Sequence, residues 1–195
     1  MGFTIETGTR CPDFALPGVD GRQWSLADFS QFGLLVVVFS CNHCPYVIGS
    51  EERMIQFQAD YQDRGVRLVA INSNETENHP DDSFAKMVER ANQRRFNFPY
   101  LRDESQDVAK AFGASRTPHF FVFDSARILQ YNGRMDNHPK DASQAVTKEL
   151  RDAVDDLLAG RNPAVPVTDA IGCNVKWKGR DRKWMPAEAC DFLKN

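Results

Sequence analysis

Leu34-Leu35-Val36-Val37-Val38-Phe39-Ser40-Cys41-Asn42-His43-Cys44-Pro45-Tyr46 is an apolar run that ends in two cysteines three positions apart. Six consecutive large apolar residues, β-branched at the centre, suit a strand buried on both faces of a helix-covered sheet, which places the thiols at its carboxyl end. Pro45 suits the first turn of a helix, and Val47, Ile48, Met54, Ile55 and Phe57 recur at helical spacing up to Gly65. The cysteines therefore mark a strand-to-helix turn. The first amides of a helix lack internal partners and its amino end carries partial positive charge, and both favour a thiolate. Cys41 is expected to be the acidified, reactive sulfur, helped by a protonated His43, with Cys44, one turn into the helix, as the resolving thiol. A satisfied buried cysteine pair and half of a zinc site are the alternatives. Zinc asks for about four ligands, and no second cysteine or histidine pair at short spacing accompanies this one.

Upstream, Cys11-Pro12-Asp13-Phe14-Ala15-Leu16 and Gln23-Trp24-Ser25-Leu26 flank Gly18-Val19-Asp20-Gly21 and read as an edge hairpin, with Ser25 capping a brief helical turn through Phe29. Cys11 is read as structural. Downstream, Arg64-Gly65 ends the first helix and Val66-Arg67-Leu68-Val69-Ala70-Ile71-Asn72 supplies a second strand. Strand, helix, strand in that order predicts a right-handed parallel crossover. The polar loop Asn72-Ser73-Asn74-Glu75 leaves at the cysteine end of the sheet, where Asn72 and Asn74 either contact a substrate backbone or form a turn. Asp81-Asp82-Ser83 precedes a helix through Phe84, Met87, Val88 and Ala91, Phe98 to Leu101 is extended, and Ser105 to Phe112 is a shorter helix closed by Gly113. Ala114 to Asp124 reads as an apolar strand entered through Pro118, turning at Ser125-Ala126-Arg127 into a hairpin partner, Ile128-Leu129-Gln130-Tyr131. A last helix is expected between Asp141 and Gly160, with Ala145, Val146, Leu150, Val154, Leu157 and Leu158 on one face.

With 195 residues, 42% of them hydrophobic, the chain can bury one sizeable core, and a net charge of −3 gives no sign of a polyanion partner. A domain over residues 1–160 is expected, with a C-terminal extension over 161–195, beyond the last helix and punctuated by Pro163 and Pro166, packing on it. Met1 to Thr7 lacks the basic and apolar regions of a leader, and no run approaches a membrane span, so a soluble cytoplasmic protein is expected. Cys11, Cys41, Cys44, Cys173 and Cys190 are sparse and odd in number, unlike the framework of a small secreted domain. Lys176, Lys178, Arg180, Arg182 and Lys183 interleave with Trp177 and Trp184, which superficially suggests a nucleic-acid surface. A solvated segment anchored by its tryptophans is the preferred reading. No nucleic-acid or membrane partner, no metal and no cofactor is expected.

The order of apolar strand, Cys-x-x-Cys, helix, strand, helix, then Thr-Pro, hairpin and closing helix resembles the thioredoxin-like superfamily over roughly residues 10 to 160. Cys11-Pro12-Asp13-Phe14 with its hairpin, and Leu101-Arg102-Asp103-Glu104 ahead of the Thr-Pro strand, look like its redoxin branch, the alkyl hydroperoxide reductase/thiol-specific antioxidant group. Cys41-Asn42-His43-Cys44-Pro45-Tyr46 with Ile171-Gly172-Cys173-Asn174-Val175-Lys176-Trp177 is most similar to peroxiredoxin-like proteins of that branch that hold a Cys-x-x-Cys dithiol. The resemblance implies an α/β thioredoxin-like fold, a central mixed sheet flanked by helices, with an N-terminal β-hairpin and a helix-containing insertion after the second strand. It also implies that Pro118 is cis and that the Thr117 backbone pairs with an extended substrate beside the dithiol. Arg116, next to Thr117, is read either as a surface arginine or as a group that binds an anionic or peroxide substrate, and His119 as a packing rather than a catalytic residue.

This sequence departs from those relatives in two ways. Peroxiredoxins carry Pro-x-x-x-Thr/Ser-x-x-Cys, but Leu34 and Val38 stand before Cys41, and Val37 and Cys41 before Cys44, so neither cysteine has that hydroxyl. Thioredoxin also carries a buried acid on the strand before its dithiol, whereas Leu34 to Phe39 has none, leaving water or Glu51 to move a proton at Cys44. The expected function is a thiol-disulfide oxidoreductase that exchanges with protein or small-molecule disulfides or sulfenic acids, with an unidentified thiol as electron donor. A thiol-dependent peroxidase and a non-catalytic metal-binding or redox-sensing interaction module are the alternatives. Cys173 is either a third redox thiol or a buried structural cysteine.

Overall fold

In the computed structural model, which describes residues 4–179, the apolar run is a strand whose every residue is buried. Before it lie β1 (Ala15–Pro17) and β2 (Gln23–Ser25), paired antiparallel as the edge hairpin. The run itself is β3 (Leu34–Ser40), followed by α1 (Pro45–Tyr61) and β4 (Val66–Asn72). An insertion of α2 (Phe84–Arg94), β5 (Tyr100–Arg102) and α3 (Asp107–Phe112) leads to β6 (Arg116–Thr117), β7 (His119–Phe123) and β8 (Leu129–Gly133). Helix α4 (Glu149–Leu158) and a short β9 (Cys173–Asn174) complete the order.

The central sheet runs β5-β4-β3-β7-β8, with β3, β4 and β5 parallel and β7 and β8 antiparallel to their neighbours. Alternation along β3 divides one apolar run between two cores. Leu34, Val36 and Val38 pack with Val47, Met54 and Phe57 of α1 and Leu150 and Val154 of α4. Leu35, Val37 and Phe39 face the other way, onto Ala109 and Phe112 of α3 and the hairpin residues Phe14 and Leu16. Cys11 belongs to this second core, away from the dithiol, and burial pushes its thiol up to about 12, consistent with a structural role. Glycine ends α1's 3-10 extension at Gly65, whose φ of 75° is the left-handed region that an L side chain avoids.

Two expected elements differ. The strand expected over 114–124 is broken at Pro118: β7 enters the central sheet, whereas β6 pairs with β9 in a separate two-stranded ladder. Proline has no amide to give a ladder and so marks the break. The last helix begins only at Glu149. Asp141 caps a short 3-10 turn at Ala142–Gln144, the Asn137 side chain accepts from the Val146 and Thr147 amides, and Val146 is 83% exposed. These side chains hold the backbone in an irregular loop that helical spacing did not reveal. Residues 163–179 run back over the domain: Thr168 bonds to the backbone of Asn132 and Arg134, and Lys176 and Lys178 bond to Asn74, Glu104 and Gln106. Trp177 is buried in the second core. Arg180, Arg182, Lys183, Trp184 and Cys190 lie outside the described residues. No helix among the described residues is long and apolar enough to cross a membrane.

Candidate active site

Cys41 follows the last residue of β3 and Cys44 is the N-cap of α1, so strand and helix together fix both sulfurs at the carboxyl end of the parallel strands. Both are free thiols, 2% and 0% exposed. The Thr117–Pro118 bond is cis, as the resemblance implies, and it lies against them. Cys41 Sγ is 3.3 Å from Thr117 Oγ1, and Cys44 Sγ is 3.2 Å from the Thr117 carbonyl oxygen.

The two thiols are shifted in the directions opposite to those expected. Cys41 is pushed well up, by burial first, then by its hydrogen bond with Cys44 and by the nearby Asp82 charge. Cys44 is held far below the ordinary thiol range, chiefly by hydrogen bonds from Cys173 and Cys41, with the Val47 and Cys173 amides adding to them. The 3.2 Å approach of Cys44 to the Thr117 carbonyl is a hydrogen bond only while Cys44 is protonated.

His43 lies between the cysteines and its Nδ1 is 2.6 Å from Asp82 Oδ2. That contact and the Asp82 charge raise the imidazole above its usual value against the opposing effect of burial, which favours its protonated form. Burial tends to raise Asp82 in turn, but bonds from His43 and the Asn42 amide outweigh it and hold the carboxyl low. Asp82 Oδ1 also accepts from Asn72 Nδ2 at 3.2 Å, and Oδ2 from Asn74 Nδ2 at 2.8 Å. Tyr100 Oη donates to Asn42 Oδ1 at 2.9 Å, so both residues between the cysteines are held. Asn72 and Asn74 thus serve to fix Asp82, not to line a substrate backbone. His79, paired with Glu75, stacks on His43 with ring centroids 5.2 Å apart.

Asp82 and Tyr100 were not legible as site residues: the first looks like an ordinary helix-start acid and the second like one aromatic of an extended segment. Glu51 is a correction, since both its oxygens meet Arg90 at 2.8 and 2.7 Å and Arg94 at 3.1 Å, so it faces α2 and offers Cys44 no proton route. His119 is buried under Phe121 and burial lowers it to about 3, leaving a neutral packing residue. Among the described residues, Cys41, His43 and Asp82 offer metal-ligand atoms within 4.8 Å of one another. The Asp82 oxygens already accept from four donors, however, and an ion would have to displace those bonds. The donor set fits an ion pair better than a metal.

The edge expected to receive a substrate is taken by the chain itself. β9 pairs antiparallel with β6, placing Cys173 opposite Thr117, and Arg116 Nη1 donates to the Gly172 carbonyl at 2.9 Å instead of facing an open anion site. Cys173 is 9% exposed and packs in the same buried cluster as Cys41 and Cys44.

The profile of the AhpC/TSA family matches residues 7–132. The chain is 28% identical over 126 residues to the thiol-disulfide oxidoreductase ResA of Geobacillus thermodenitrificans, a match covering 62% of this chain and 64% of that relative's length. A solved structure of a hypothetical protein from Sinorhizobium meliloti 1021 is 39% identical, covers 91% of this chain and 97% of that one, and superposes with a TM-score of 0.86. Peroxidoxin BcpB from Mycobacterium tuberculosis, 22% identical over 70% of this chain and 90% of its own with a TM-score of 0.59, shares the fold.

Proposed function

The chain belongs to the AhpC/TSA family, and on that premise we propose that it is a thiol-disulfide oxidoreductase exchanging through Cys41 and Cys44 with small or protein disulfides and sulfenic acids, an external thiol supplying electrons. The observation that carries the reading is the pair of buried free thiols at the start of α1, beside the His43–Asp82 pair. Cys41 passes its proton to the Cys44 thiolate as its sulfur attacks the substrate disulfide. A mixed disulfide forms and one substrate thiolate leaves. That leaving group takes the proton from Cys44, which then attacks Cys41, forms the Cys41–Cys44 disulfide and expels the second substrate thiolate. His43, whose protonated form Asp82 favours, stabilises whichever sulfur carries the charge. Cys41→Ser is expected to abolish turnover of a dithionitrobenzoate-type disulfide, and Cys44→Ser to accumulate the mixed disulfide, seen as a mass adduct on Cys41. Undiminished turnover by Cys41→Ser would end this assignment.

A peroxidase reading is favoured by one contact. Thr117 Oγ1, 3.3 Å from Cys41 Sγ, brings to that sulfur the hydroxyl that β3 lacks. Attack of the Cys41 thiolate on a hydroperoxide would release an alcohol and leave a sulfenic acid, which Cys44 condenses to the disulfide with loss of water. Peroxide consumption with a thiol donor tests it, and loss of that activity in Thr117→Val with disulfide exchange retained would assign the hydroxyl to the peroxide.

A further inference from the structure

We propose that Cys173 is a third exchanging thiol, to which the disulfide first formed between Cys41 and Cys44 relocates. The inference rests on the dithiol reading and adds a step to it. Three features place Cys173 there. First, β9 holds it directly opposite Thr117, the residue whose side chain and carbonyl touch Cys41 and Cys44. Second, Gly172 brings the segment in against the Thr117–Pro118 backbone so closely that a Cβ would lie 2.1 Å from the Thr117 oxygen and 3.1 Å from the Pro118 nitrogen. Only glycine permits that approach. Third, Cys173 packs in the same buried cluster as Cys41 and Cys44. The segment is fastened beyond the site as well, by Val175 N to the Ser115 carbonyl at 3.0 Å and Lys176 N to Asn74 Oδ1 at 2.8 Å.

In the step itself, Cys173 attacks Cys44 of the Cys41–Cys44 disulfide. The Cys44–Cys173 bond forms, the Cys41–Cys44 bond breaks, and Cys41 departs with the electron pair and receives the proton that Cys173 gives up. No net oxidation occurs, because the oxidising equivalent comes from the substrate disulfide and only changes place. Cys41 is freed to react again.

Glutathione disulfide, without added reductant, is the probe, with free thiols alkylated in acid and peptides mapped by mass spectrometry. In Cys41→Ser, diamide in place of glutathione disulfide, which needs no attack by Cys41, is expected to link Cys44 to Cys173; recovery of both as alkylated thiols would overturn the proposal. Wild type is expected to consume twice the glutathione disulfide per chain that Cys173→Ala consumes, the second equivalent appearing as glutathione on Cys41. Equal consumption, with Cys41–Cys44 formed in both, would overturn the relay while leaving the dithiol reading intact. A wild-type protein that never forms Cys41–Cys44 would overturn both. Unchanged far-ultraviolet circular dichroism for Cys173→Ala separates lost exchange from lost fold.

Discussion

Asp82 is a single carboxylate on which the site's charge arrangement depends, because it meets His43, the Asn42 amide, Asn72 and Asn74 at once. Asp82→Asn keeps the shape and removes the charge, so His43 should fall back toward its ordinary value, while Cys41 loses a charge that pushes its thiol up. The check is the His43 imidazole titration followed by NMR, which should move to lower pH; an unmoved titration would mean that Asp82 does not set the state of His43. Losing bonds to a buried charged group should also cost about 2 kcal/mol in urea unfolding. The pair's own contribution to stability follows from the two shifts. The His43 value is raised, so its share is full below the ordinary 6.5 and is lost as pH rises through the raised value. The Asp82 value is lowered, so its share is full above 3.8 and is lost as pH falls through the lowered value. Wild type minus Asp82→Asn should therefore be greatest between about pH 3.8 and 6.5 and shrink on both sides. The cysteines were legible at this scale because their spacing after an apolar run has few other uses. Asp82 was not, since nothing local separates it from exposed Asp81, and its burial is decided by the asparagines that close over it from the end of β4.

Among the elements, β9 owes its place to one missing methyl. Gly172→Ala puts a Cβ into the Thr117 carbonyl, and overpacking of about 1–3 kcal/mol corresponds to roughly 5- to 150-fold more of the undocked segment. Cys173 should then be alkylated faster by a comparable factor in native protein, while the unfolding midpoint moves little. An unchanged rate would mean that the contact is relieved without undocking. The sequence pattern resolved long elements better than short ones for a physical reason. β3, α1 and β4 bury continuous or periodic apolar surface, which leaves a signature. β6 and β9 span two residues each and are held by backbone pairing and a glycine, which leave almost none. The delayed start of α4 has the same origin, because Asn137 and Asp141 redirect the backbone through side-chain bonds that periodicity does not register.

For the whole molecule, a sheet buried on both faces makes stability depend on aromatic packing beneath the site as much as on the site. Phe112 meets Phe39, Phe121 and Phe123 edge-on, with centroids 5.2, 5.3 and 5.9 Å away. Phe112→Ala should cost about 3–5 kcal/mol and lower Tm by roughly 10 °C, with the dithiol chemistry of the protein that remains folded unaffected; calorimetry and a disulfide-exchange assay below the transition check both. The thioredoxin-like architecture was legible from element order alone, since that order leaves few ways to cover both faces of one strand. The path of the chain after α4 was not, because it is written in contacts to distant residues such as Asn132, Gln106 and Asn74. That return path has a consequence for what the protein can process. A strand tied to the same molecule occupies the Thr117 edge at an effective concentration on the order of millimolar, so a polypeptide seeking that edge enters as a competitor against a resident that never diffuses away. On the proposed function, a small oxidant would ask nothing of the edge and escape the competition, so exchange with small disulfides should outpace exchange with polypeptide ones.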